Sequence, residues 1–411
     1  MTLDVAALRR EFPTLARIID GHRLVYLDSA ASSQTPLSVL DAMDIYYRRS
    51  RSNVHRGVYQ LAEEATDMYE GARTAIAQLV DADPRGVVFT KNATEACNLV
   101  AYSWVRRRLG PDDVLLTTVM EHHANHVPFV YAANECGFEV RHIPLTDTGE
   151  LDLIAAKELM RDGRVTFAAI GHVSNVLGTI NDVPTIVSML RRANPEVVIH
   201  IDGTQAVPHL PVSFRSLDVD FYAFTGHKML GPTGIGVLLG KPERLEAMDP
   251  FLAGGDMIVD VTLTGATWNE IPHKFEAGTP MIAEAAGLTA AVTFLQDVGL
   301  DAIRQHERQL TGVFLDALQH VDGVTVYGPT DVDKRLGAIS FMLEGVHPHD
   351  IGAMLGSRGV CVRVGHHCAK PLMRCLNVNA TARASLYIYN AEDDLEPFIT
   401  GLRDARAFFA R

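Results

Sequence analysis

The sequence predicts an α/β protein with a mostly parallel sheet covered by helices on both faces, followed by a smaller α+β domain. Three observations predict this fold class. Short runs rich in Val and Ile alternate with helix-like segments between residues 87 and 240, without the polar alternation of a half-exposed strand. After residue 295 the sequence pattern changes, beginning with a long helix-like stretch at 301–320. The length of 411 residues is enough for two or three domains.

Seven apolar runs are interpreted as strands of the larger sheet. They are VVFT (87–90), VLLTTV (114–119), FEVRHIPL (138–145), VTFAAIGH (165–172), VVIHID (197–202), DFYAF (220–224) and GIGVLLG (234–240). The segments 94–108 and 181–193 are candidate crossover helices. Strands that are buried on both faces carry continuous apolar runs of this kind, which favours a parallel sheet.

The smaller domain is predicted from the segments beyond residue 295. These are a helix-like stretch at 301–320, the segments 337–343, 349–359, 360–365 and 383–390, and a C-terminal helix from Glu392. The long stretch from Phe251 to Pro280 is rich in Gly and has few periodic features. We interpret it as a functional loop between the domains.

Charge and apolar content exclude some partners. The formal net charge of -13 argues against nucleic acid or an anionic membrane, since both require clustered Lys and Arg. No apolar run is long enough to cross a bilayer, and the N-terminal residues mix both charge signs, unlike a signal peptide. The expected location is the cytoplasm.

The five cysteines, at positions 97, 136, 361, 368 and 375, form no CxxC pair. An odd number without such a pair argues against a disulfide framework and leaves at least one thiol free for chemistry. Four of them, all except Cys368, are interpreted as packing residues because buried thiols behave as small hydrophobes.

The run FYAFTGHKMLGPTGIG (221–236) carries Lys228 between a buried strand and a glycine-rich turn. Partial desolvation at such a place depresses the pKa of an amine and makes it nucleophilic. On this motif alone a surface lysine is the more common outcome. The turn lacks the GK[ST] of a phosphate loop and the spacing of a dinucleotide fingerprint, so neither nucleotide site is predicted.

Further polar groups follow other predicted strands. Asp202 ends a strand, where ligands of open parallel sheets bind, and its carboxylate can pair with a protonated ring nitrogen or cap a helix. Asn92 or Thr94 opens a helix whose free amides favour either a phosphate or an ordinary cap. His122 lies just beyond a strand, where an imidazole can stack on a flat cofactor or be structural.

Eight motifs in order along the chain resemble the SufS branch of the cysteine desulfurases, within the class V aminotransferase fold. They are LDSAASSQTP (27–36), MEHHAN (120–125), VSNVLG (173–178), HIDGTQA (200–206), TGHK (225–228), FEAGTP (275–280), RVGHHCAKP (363–371) and ATARASLYIYN (380–390). The resemblance implies the pyridoxal-phosphate-dependent transferase fold type I. It implies an N-terminal segment 1–22 packing with the small domain, a large cofactor domain 23–295 with a mostly parallel seven-stranded sheet flanked by helices, and a small C-terminal domain 296–411 carrying the catalytic cysteine.

The resemblance also implies an activity. The cofactor is expected to be pyridoxal 5′-phosphate, and the enzyme is expected to convert L-cysteine to L-alanine while Cys368 receives the sulfur as a persulfide. An acceptor for iron-sulfur cluster assembly would then take the sulfur. The active unit is expected to be a homodimer.

Roles for individual residues follow from the same resemblance. Lys228 would hold the cofactor and move the substrate's Cα proton, Asp202 would face the ring nitrogen, Gln205 the ring oxygen, and His122 would stack on the ring. Thr94, Thr225 and His227 would hold the phosphate, and Thr279 would reach the phosphate of the other subunit. Asn175 and Arg383 would grip the substrate carboxylate, while Arg363 and His366 would lie near the nucleophile.

The nucleophile must be a thiolate, and His366, His367 and Arg363 supply a polar, partly cationic setting for Cys368. The alternative for the HHC run is a metal site with His347 and His349, but no Cys pair or HExxH spacing supports it. No metal is therefore predicted.

Two positions depart from the SufS pattern, and one bears on the partner. Lys370 stands where the branch usually has Gln, and Thr225 where it has Ser, and neither change removes a required chemical group. His349 matches a position that, in relatives working with a zinc-bearing SufU-type scaffold, exchanges onto the partner's zinc, which a neutral imidazole can bind. A surface histidine at a helix start is the alternative.

Two classes of rival function remain open at this point. One is another enzyme of the same fold, above all a selenocysteine lyase, because the same cofactor chemistry releases selenium. The other is a catalytically silent partner of sulfur-carrier machinery, against which the joint presence of Lys228, Asp202, Arg383 and Cys368 argues.

Overall fold

A seven-stranded sheet lies at the centre of the larger part of the chain. The structure is a computed structural model that describes residues 3–409. In spatial order the strands are Val87–Thr90, Gly236–Gly240, Phe221–Thr225, Val198–Asp202, Val165–Gly171, Val114–Thr118 and Glu139–Ile143. All seven predicted strands are confirmed, with each end within two residues of its predicted position.

Five neighbouring strands of this sheet are parallel, and one strand is antiparallel to both of its neighbours. That strand is Gly236–Gly240, so the predicted mostly parallel sheet is confirmed. Because the parallel strands run the same way, their carboxyl ends, at Thr118, Gly171, Asp202 and Thr225, meet at one edge. Ligands of open α/β sheets bind at this edge.

Both faces of the sheet are buried. In the first strand Val87 and Phe89 join one apolar cluster while Val88 joins another, and the neighbouring strands repeat this alternation. Helices that pack in the first cluster are Leu37–Arg49, Gln60–Leu79, Leu153–Leu159, Val183–Ala193, Phe214–Leu217 and Ile282–Val298. Helices that pack in the second are Ala93–Val100, Val127–Cys136 and Pro242–Glu246. Helices therefore flank the sheet on both sides, as predicted.

The helix predicted at 94–108 is divided into three parts. It begins as the α-helix Ala93–Val100, widens into a π-helical segment at Ala101–Val105 and ends as Arg106–Arg108. The wide turn buries Trp104, whose ring meets Phe221 of the sheet edge-on with centroids 5.7 Å apart. A short π segment of this kind adds one residue to a turn without ending the helix.

The C-terminal part forms a four-stranded antiparallel sheet with its own core. Its strands, in spatial order, are Val324–Val326, Ala338–Leu343, Thr381–Ser385 and Arg363–Gly365. Its helices are Leu300–Gln319, Pro348–Gly356, Lys370–Cys375 and Leu395–Phe409. This is the predicted α+β arrangement, and it has a separate apolar cluster.

The segment 383–390 belongs to this sheet only at its start. The segment interpreted as 383–390 leaves the sheet after Ser385, because the N–H of Tyr387 donates to the side chain of Asn390 instead of to a neighbouring strand. The Tyr387 hydroxyl then donates to the carbonyl of Pro208 at 3.0 Å. The chain thus passes from the small sheet into the core of the large one.

The segment from Phe251 to Pro280, interpreted as a functional loop between the domains, contains secondary structure of its own. The segment contains an exposed antiparallel hairpin, Ile258–Val261 paired with Ala266–Trp268, and a 3-10 turn at His273–Phe275. The alternation of IVDV before the turn is a two-residue period that fits a strand. The many glycines around it hide this short signal.

The N-terminal residues pack against the C-terminal part. The helix Val5–Arg10 is followed by a small hairpin, Ile18–Ile19 with His22–Arg23, and then by the strand Val25–Tyr26. This last strand pairs in parallel with Val360–Cys361. The segment therefore joins sequence positions more than 330 residues apart.

Two consecutive helices, Ile282–Val298 and Leu300–Gln319, connect the two parts of the chain and are bent by 72° at Gly299. Within residues 3–409, no single helix is both long and apolar enough to cross a membrane. This bent pair reaches that length and composition only when its two helices are taken together.

Candidate active site

A cavity of about 200 Å³ opens at the carboxyl edge of the parallel strands. Loops that follow four strands contribute to it, as does the start of the helix Ala93–Val100. Twelve of the residues that the sequence singles out line it: Asn92, Thr94, His122, Asn175, Asp202, Gln205, Thr225, His227, Lys228, Arg363, His367 and Arg383. Residues spread over almost 300 positions of the chain are thereby brought to one place.

Lys228 ends a 3-10 turn that directly follows the strand Phe221–Thr225. Removal from bulk water lowers the pKa of its amine to about 8, and the carboxylate of Asp202 only partly opposes this shift. The nearby guanidinium groups of Arg383 and Arg363 lower the pKa further. About a tenth of the amine is therefore uncharged at pH 7, far more than for an exposed lysine, and this fraction is able to act as a nucleophile or a base.

Asp202 is the last residue of its strand and is buried. Its Oδ1 accepts a hydrogen bond of 3.0 Å from the N–H of Thr204, which fixes the carboxyl group at the cavity wall. Gly203 makes this turn possible, since a Cβ there would lie 1.8 Å from the ring of Tyr222. The side-chain amide of Gln205 donates to the carbonyl of Ala30 at 2.8 Å, and this hydrogen bond orients the Gln205 side chain.

The start of the helix Ala93–Val100 faces the cavity. Asn92 caps it by accepting a 3.0 Å hydrogen bond from the N–H of Glu95, and Thr94 lies in the first turn. The positive end of the helix dipole and the free amides of this turn form a seat for an anion. Thr225 and His227 line the same cavity from the adjacent strand end.

His122 presents a neutral imidazole to the cavity. Its Nδ1 accepts a 3.1 Å hydrogen bond from the N–H of Ala124, so the ring proton lies on Nε2. Burial lowers the pKa of His122 to about 3, and the charge of Lys228 contributes to this shift. The ring therefore stays uncharged at any pH near neutral.

Cys368 lies in a turn of the C-terminal part, just after the strand Arg363–Gly365. Its Sγ is 3.9 Å from Nη2 of Arg363, which also lines the cavity. The amide of Asn175 donates a 2.7 Å hydrogen bond to the carbonyl of His367, immediately before the cysteine. The thiol is thus held beside the cavity by groups from both parts of the chain.

Arg383 has one N–H that no group in the described chain accepts. Its Nη1 donates to the carbonyl of Asn175 at 2.8 Å, and its Nη2 donates to Oδ1 of Asp28 at 3.0 Å. Its Nε is buried and, among residues 3–409, has no hydrogen-bond partner. A buried guanidinium donor without an acceptor in the protein suits an anionic ligand group.

Comparison with known proteins assigns the family. The family model described as aminotransferase class-V matches residues 25–398. The chain belongs to the class-V aminotransferase family. A probable cysteine desulfurase of Halobacterium salinarum is 48% identical over 410 residues, covering 99% of this chain and 98% of that protein. Another, from Halalkalibacterium halodurans, is 46% identical and covers 99% of each chain.

Solved structures of this family have the same fold. The apo cysteine desulfurase of Thermococcus onnurineus superposes with a TM-score of 0.92 at 36% identity, covering 98% of each chain. The cysteine desulfurase CsdA of Escherichia coli gives a TM-score of 0.91 at 37% identity over the full length of both chains. Both matches span the large and the small parts of this chain together.

Class-V aminotransferases are fold type I enzymes, and the cofactor is pyridoxal 5′-phosphate. The cavity fits this group on its own chemistry. It offers an amine of lowered pKa at Lys228, a carboxylate at Asp202 for a ring nitrogen, and an anion seat at Thr94. The Oγ1 of Thr204 is also buried there and has no partner among the described residues. Polar groups left unpaired in a cavity favour a polar ligand.

Four predicted site residues lie outside the cavity lining of this class-V chain, and one of them is Cys368, whose Sγ adjoins the cavity through Arg363. Thr279 lines a separate groove with Lys91 and Glu95. His366 lies behind the cysteine, where its Nδ1 accepts a 3.1 Å hydrogen bond from the N–H of Cys368. His349 is exposed in the first turn of the helix Pro348–Gly356, with its ring stacked on that of His347 at 5.3 Å.

Several cavity residues were not predicted from the sequence. Glu121, Ser174, Asn181 and Thr204 all line the cavity. Glu121 stands directly beside His122, and Thr204 directly beside Gln205, in quoted motifs, so adjacency was the available signal. Asp28 contacts Arg383 and lies in the first motif of the resemblance, where nothing in the residue pattern marked it.

One group of possible metal ligands lies away from the cavity. Across residues 3–409, His55, Glu70 and His273 are the one set whose ligand atoms all lie within 4.8 Å of one another. The carboxylate of Glu70 already faces Nε of Arg73 at 2.8 Å, and this cation offsets the charge that a metal would need. The alternative set of His347, His349 and the HHC run does not form such a group among the described residues.

Proposed function

We propose that this chain is a pyridoxal-phosphate-dependent cysteine desulfurase that converts L-cysteine to L-alanine and takes the sulfur onto Cys368 as a persulfide. The observation that carries the proposal is the position of the Cys368 thiol, 3.9 Å from the Arg363 guanidinium that lines the same cavity as Lys228. Hydrolysis or amino transfer needs no such nucleophile. The names of the relatives support the same activity.

Substrate binding rests on the charged groups that surround the cavity. The unpartnered Nε of Arg383 donates to the substrate carboxylate, and Arg363 adds a second positive charge on the same side. Asn175 orients Arg383 through its carbonyl and supports the cysteine turn through its amide. Both ends of the small substrate are thereby held relative to the thiol.

Lys228 moves the proton. When bound, the cofactor withdraws electrons from the substrate's Cα and so makes its proton removable. The amine of Lys228, with its pKa near 8, accepts that proton and later returns one to carbon. With the cofactor bound, Asp202 would supply a negative charge to the ring nitrogen, and the neutral His122 would stack on the ring without adding charge.

Cys368 accepts the sulfur as a thiolate. Its sulfur forms an S–S bond with the substrate sulfur while the substrate's C–S bond breaks, and the electron pair of that bond stays with carbon. Protonation of the carbon skeleton gives L-alanine, and the enzyme retains the persulfide, so no external oxidant or reductant is needed. The Arg363 cation stabilises the attacking thiolate.

Finer features belong to the same proposal. The chain acts as a SufS-type desulfurase in the cytoplasm, as a homodimer in which Thr279 reaches the phosphate of the other subunit's cofactor. The sulfur passes to an acceptor for iron-sulfur cluster assembly, and a SufU-type scaffold is the proposed acceptor. The exposed position of His349 at a helix start supports this last step, because the imidazole is free to approach a partner's zinc.

The test compares two cysteine variants. Holoenzyme is incubated with L-cysteine and a reductant, and alanine and sulfide are measured together. Cys368→Ser is expected to lose at least 100-fold in alanine formation while keeping the absorbance band of the bound cofactor, since only the nucleophile is removed (about a 100-fold loss is usual for such a group). Cys375→Ser, which changes an exposed thiol seven residues away, is the matched control and should match the wild type.

Two results would contradict the proposal. Wild-type turnover by Cys368→Ser would remove the assigned nucleophile. Retention of the cofactor band by Lys228→Ala would remove the assigned cofactor lysine. For the partner, sulfur transfer to a SufU-type scaffold at an unchanged rate by His349→Ala would end the zinc-exchange step.

A further inference from the structure

The turn that carries Cys368 is held in an uncommon backbone conformation. His367 has φ +50° and Cys368 has φ +55°, and neither residue is glycine. Two consecutive side-chain-bearing residues in the left-handed region cost about 1–3 kcal/mol each and persist only when the surroundings hold them. Contacts from outside the turn must therefore supply that support.

His123 contacts this turn at two places. Its backbone N–H donates a 2.7 Å hydrogen bond to the carbonyl of Cys368, and its Nε2 accepts a 3.1 Å hydrogen bond from the N–H of Lys370. His123 itself follows the strand Val114–Thr118 of the large sheet. One residue of the large part thus holds the chain on both sides of Ala369, beginning at the carbonyl of Cys368 itself.

Among the described residues, the other hydrogen bonds that hold the turn do not involve the N–H of Lys370. Asn175 binds the carbonyl of His367, and the His367 ring meets the hydroxyl of Thr381 at 2.8 Å. His366 accepts the N–H of Cys368 within the turn itself. Among the described residues, only the His123 side chain satisfies the N–H of Lys370, where the helix Lys370–Cys375 begins.

We infer that His123 is a positioning residue that keeps the Cys368 thiol at the cavity, and that it does so only while its Nε2 is unprotonated. This inference rests on the proposed role of Cys368. An acceptor at Nε2 requires the proton on Nδ1, and a second proton turns Nε2 into a donor facing the N–H of Lys370. The contact is then repulsive, and the strained turn loses its support on the C-terminal side.

The surroundings of the ring set the direction of the pH dependence. Burial lowers the pKa of His123, and His366, whose ring centroid is 5.6 Å away, and Lys370 lower it further. The ring centroid of His122 lies 6.4 Å from that of His123, and His126 lies on the following turn. No carboxylate appears among the causes of the shift. The hydrogen bond from the N–H of Lys370 to Nε2 of His123 is therefore intact above the lowered pKa of His123, and it is lost as the pH falls through that pKa.

The test uses holoenzyme of the wild type, His123→Ala and His123→Gln. Alanine formation gives kcat and KM from pH 5.5 to 8.5, and brief iodoacetamide treatment followed by peptide mass spectrometry gives the alkylation rate of Cys368. The exposed Cys375 in the same samples is the internal control. Alkylation does not depend on turnover, so this readout survives even if Cys368 is not the sulfur acceptor.

For His123→Ala we expect kcat to fall about 5-fold at pH 8, the effect of one hydrogen bond, with KM unchanged. Cys368 alkylation should rise several-fold while that of Cys375 stays constant. His123→Gln has a carbonyl acceptor that does not titrate, so it should restore kcat and remove the acid-side loss that the wild type shows.

The inference is overturned if His123→Ala leaves both kcat and Cys368 alkylation at wild-type values. It is equally overturned if His123→Gln shows the same acid-side loss as the wild type, because the titrating group is then elsewhere. If His123→Ala does not fold, the His123→Gln profile alone decides. Failure of the proposed function has a different signature, namely wild-type turnover by Cys368→Ser.

Discussion

Glu121 lies buried at the cavity wall and holds together three segments at the carboxyl edge of the sheet. Its carboxyl oxygens accept hydrogen bonds from the hydroxyl of Thr118 at 2.7 Å, the amide of Asn125 at 2.6 Å and the N–H of Gly171 at 2.9 Å. Burial raises the pKa of Glu121 to about 7, although these three donors oppose the shift. The group is therefore close to half protonated at neutral pH.

The raised pKa of Glu121 makes stability depend on pH. An unfolded Glu titrates near 4.5, so the folded state binds this proton more tightly, and the stabilisation present at low pH is lost as the pH rises toward 7. Glu121→Gln removes the titration. We expect its free energy of unfolding, relative to the wild type, to rise by about 3 kcal/mol between pH 4.5 and pH 8.

Urea unfolding at pH 4.5, 6 and 8 measures this difference. Glu158→Gln, which alters an exposed carboxylate of the same large part, serves as control and should follow the wild type at every pH. A Glu121→Gln curve parallel to the wild type would show that the carboxyl group titrates in the ordinary range. Loss of a hydrogen bond on substitution shifts the curve vertically and leaves its slope unaffected.

Sequence reasoning found the cavity residues that carry distinctive chemistry and missed those that support them. Lys228, Asp202 and Arg383 stand in long motifs, and all three line the cavity. Glu121 and His123 stand in one of the same motifs, but their importance comes from partners more than 40 residues away. Such partners depend on the folded chain, so no local pattern announces them.

At the scale of elements, the close approach of a strand and a helix start shapes the anion seat. Gly236 begins the antiparallel strand, and a Cβ there would lie 2.5 Å from the backbone of Asn92. The contact is with backbone atoms, which cannot rotate away as a side chain can. Glycine is therefore required for the strand to lie against the first turn of the helix Ala93–Val100.

Gly236→Ala is expected to displace the helix start and weaken cofactor binding at least 10-fold, because overpacking of about 1–3 kcal/mol falls on the anion seat. Gly71→Ala is the matched control. It lies inside the helix Gln60–Leu79, where a Cβ meets nothing within 4 Å, and should be neutral or stabilising. Cofactor absorbance after dialysis measures retention, and equal retention by the two variants would contradict the prediction.

The elements themselves were predictable where the apolar pattern is long. Six of the seven strands of the large sheet are mainly buried on both faces, which leaves the apolar runs that predict them. The seventh, Glu139–Ile143 at the sheet's edge, is partly exposed and contains Glu, Arg and His, yet it too was placed to within two residues. The hairpin at Ile258–Val261 and Ala266–Trp268 was missed because both strands are exposed and short. The π-helical segment Ala101–Val105 was missed because its apolar pattern is that of an ordinary helix.

At the scale of the whole molecule, Asp394 joins the two ends of the chain. Its buried carboxylate meets Arg9 and Arg23 of the N-terminal segment, each at 2.9 Å, and also accepts hydrogen bonds from Asn390 and Ala391. The neighbouring Asp393 also meets Arg9, at 2.8 Å, but is largely exposed. The ion pairs of Asp394 and Asp393 thus have similar distances, but the buried pair contributes more to stability than the exposed one.

Asp394→Ala is expected to cost about 2–4 kcal/mol and to release the N-terminal segment, because it leaves four donors without their common acceptor. Asp393→Ala should cost less than about 1 kcal/mol, since its pair is screened by solvent. The melting temperature and the rate of tryptic cleavage at Arg9 and Arg10 measure the two effects. Equal rates for the two variants would contradict this assignment.

The division into a large α/β part and a small α+β part could be predicted from the change of sequence pattern after residue 295. The contacts between the two parts could not be predicted in this way. The Cys368 turn reaches the cavity through hydrogen bonds from His123 and Asn175, which belong to loops of the large part. Both loops stand in quoted motifs, but the motifs do not show which groups of the small part they contact. Their pairing reflects the packing of two cores, which hydrophobic periodicity does not encode.

The order of strands in the large sheet bears on how the protein is made. Val87–Thr90 lies at the sheet's edge, and its one neighbour is Gly236–Gly240, roughly 150 residues later in the chain. During synthesis on the ribosome, Val87–Thr90 therefore emerges long before Gly236–Gly240 and has no hydrogen-bonding neighbour in the sheet until that strand has been made. The nascent chain cannot capture its coenzyme until the hairpin bearing Lys228 has emerged and closed that gap.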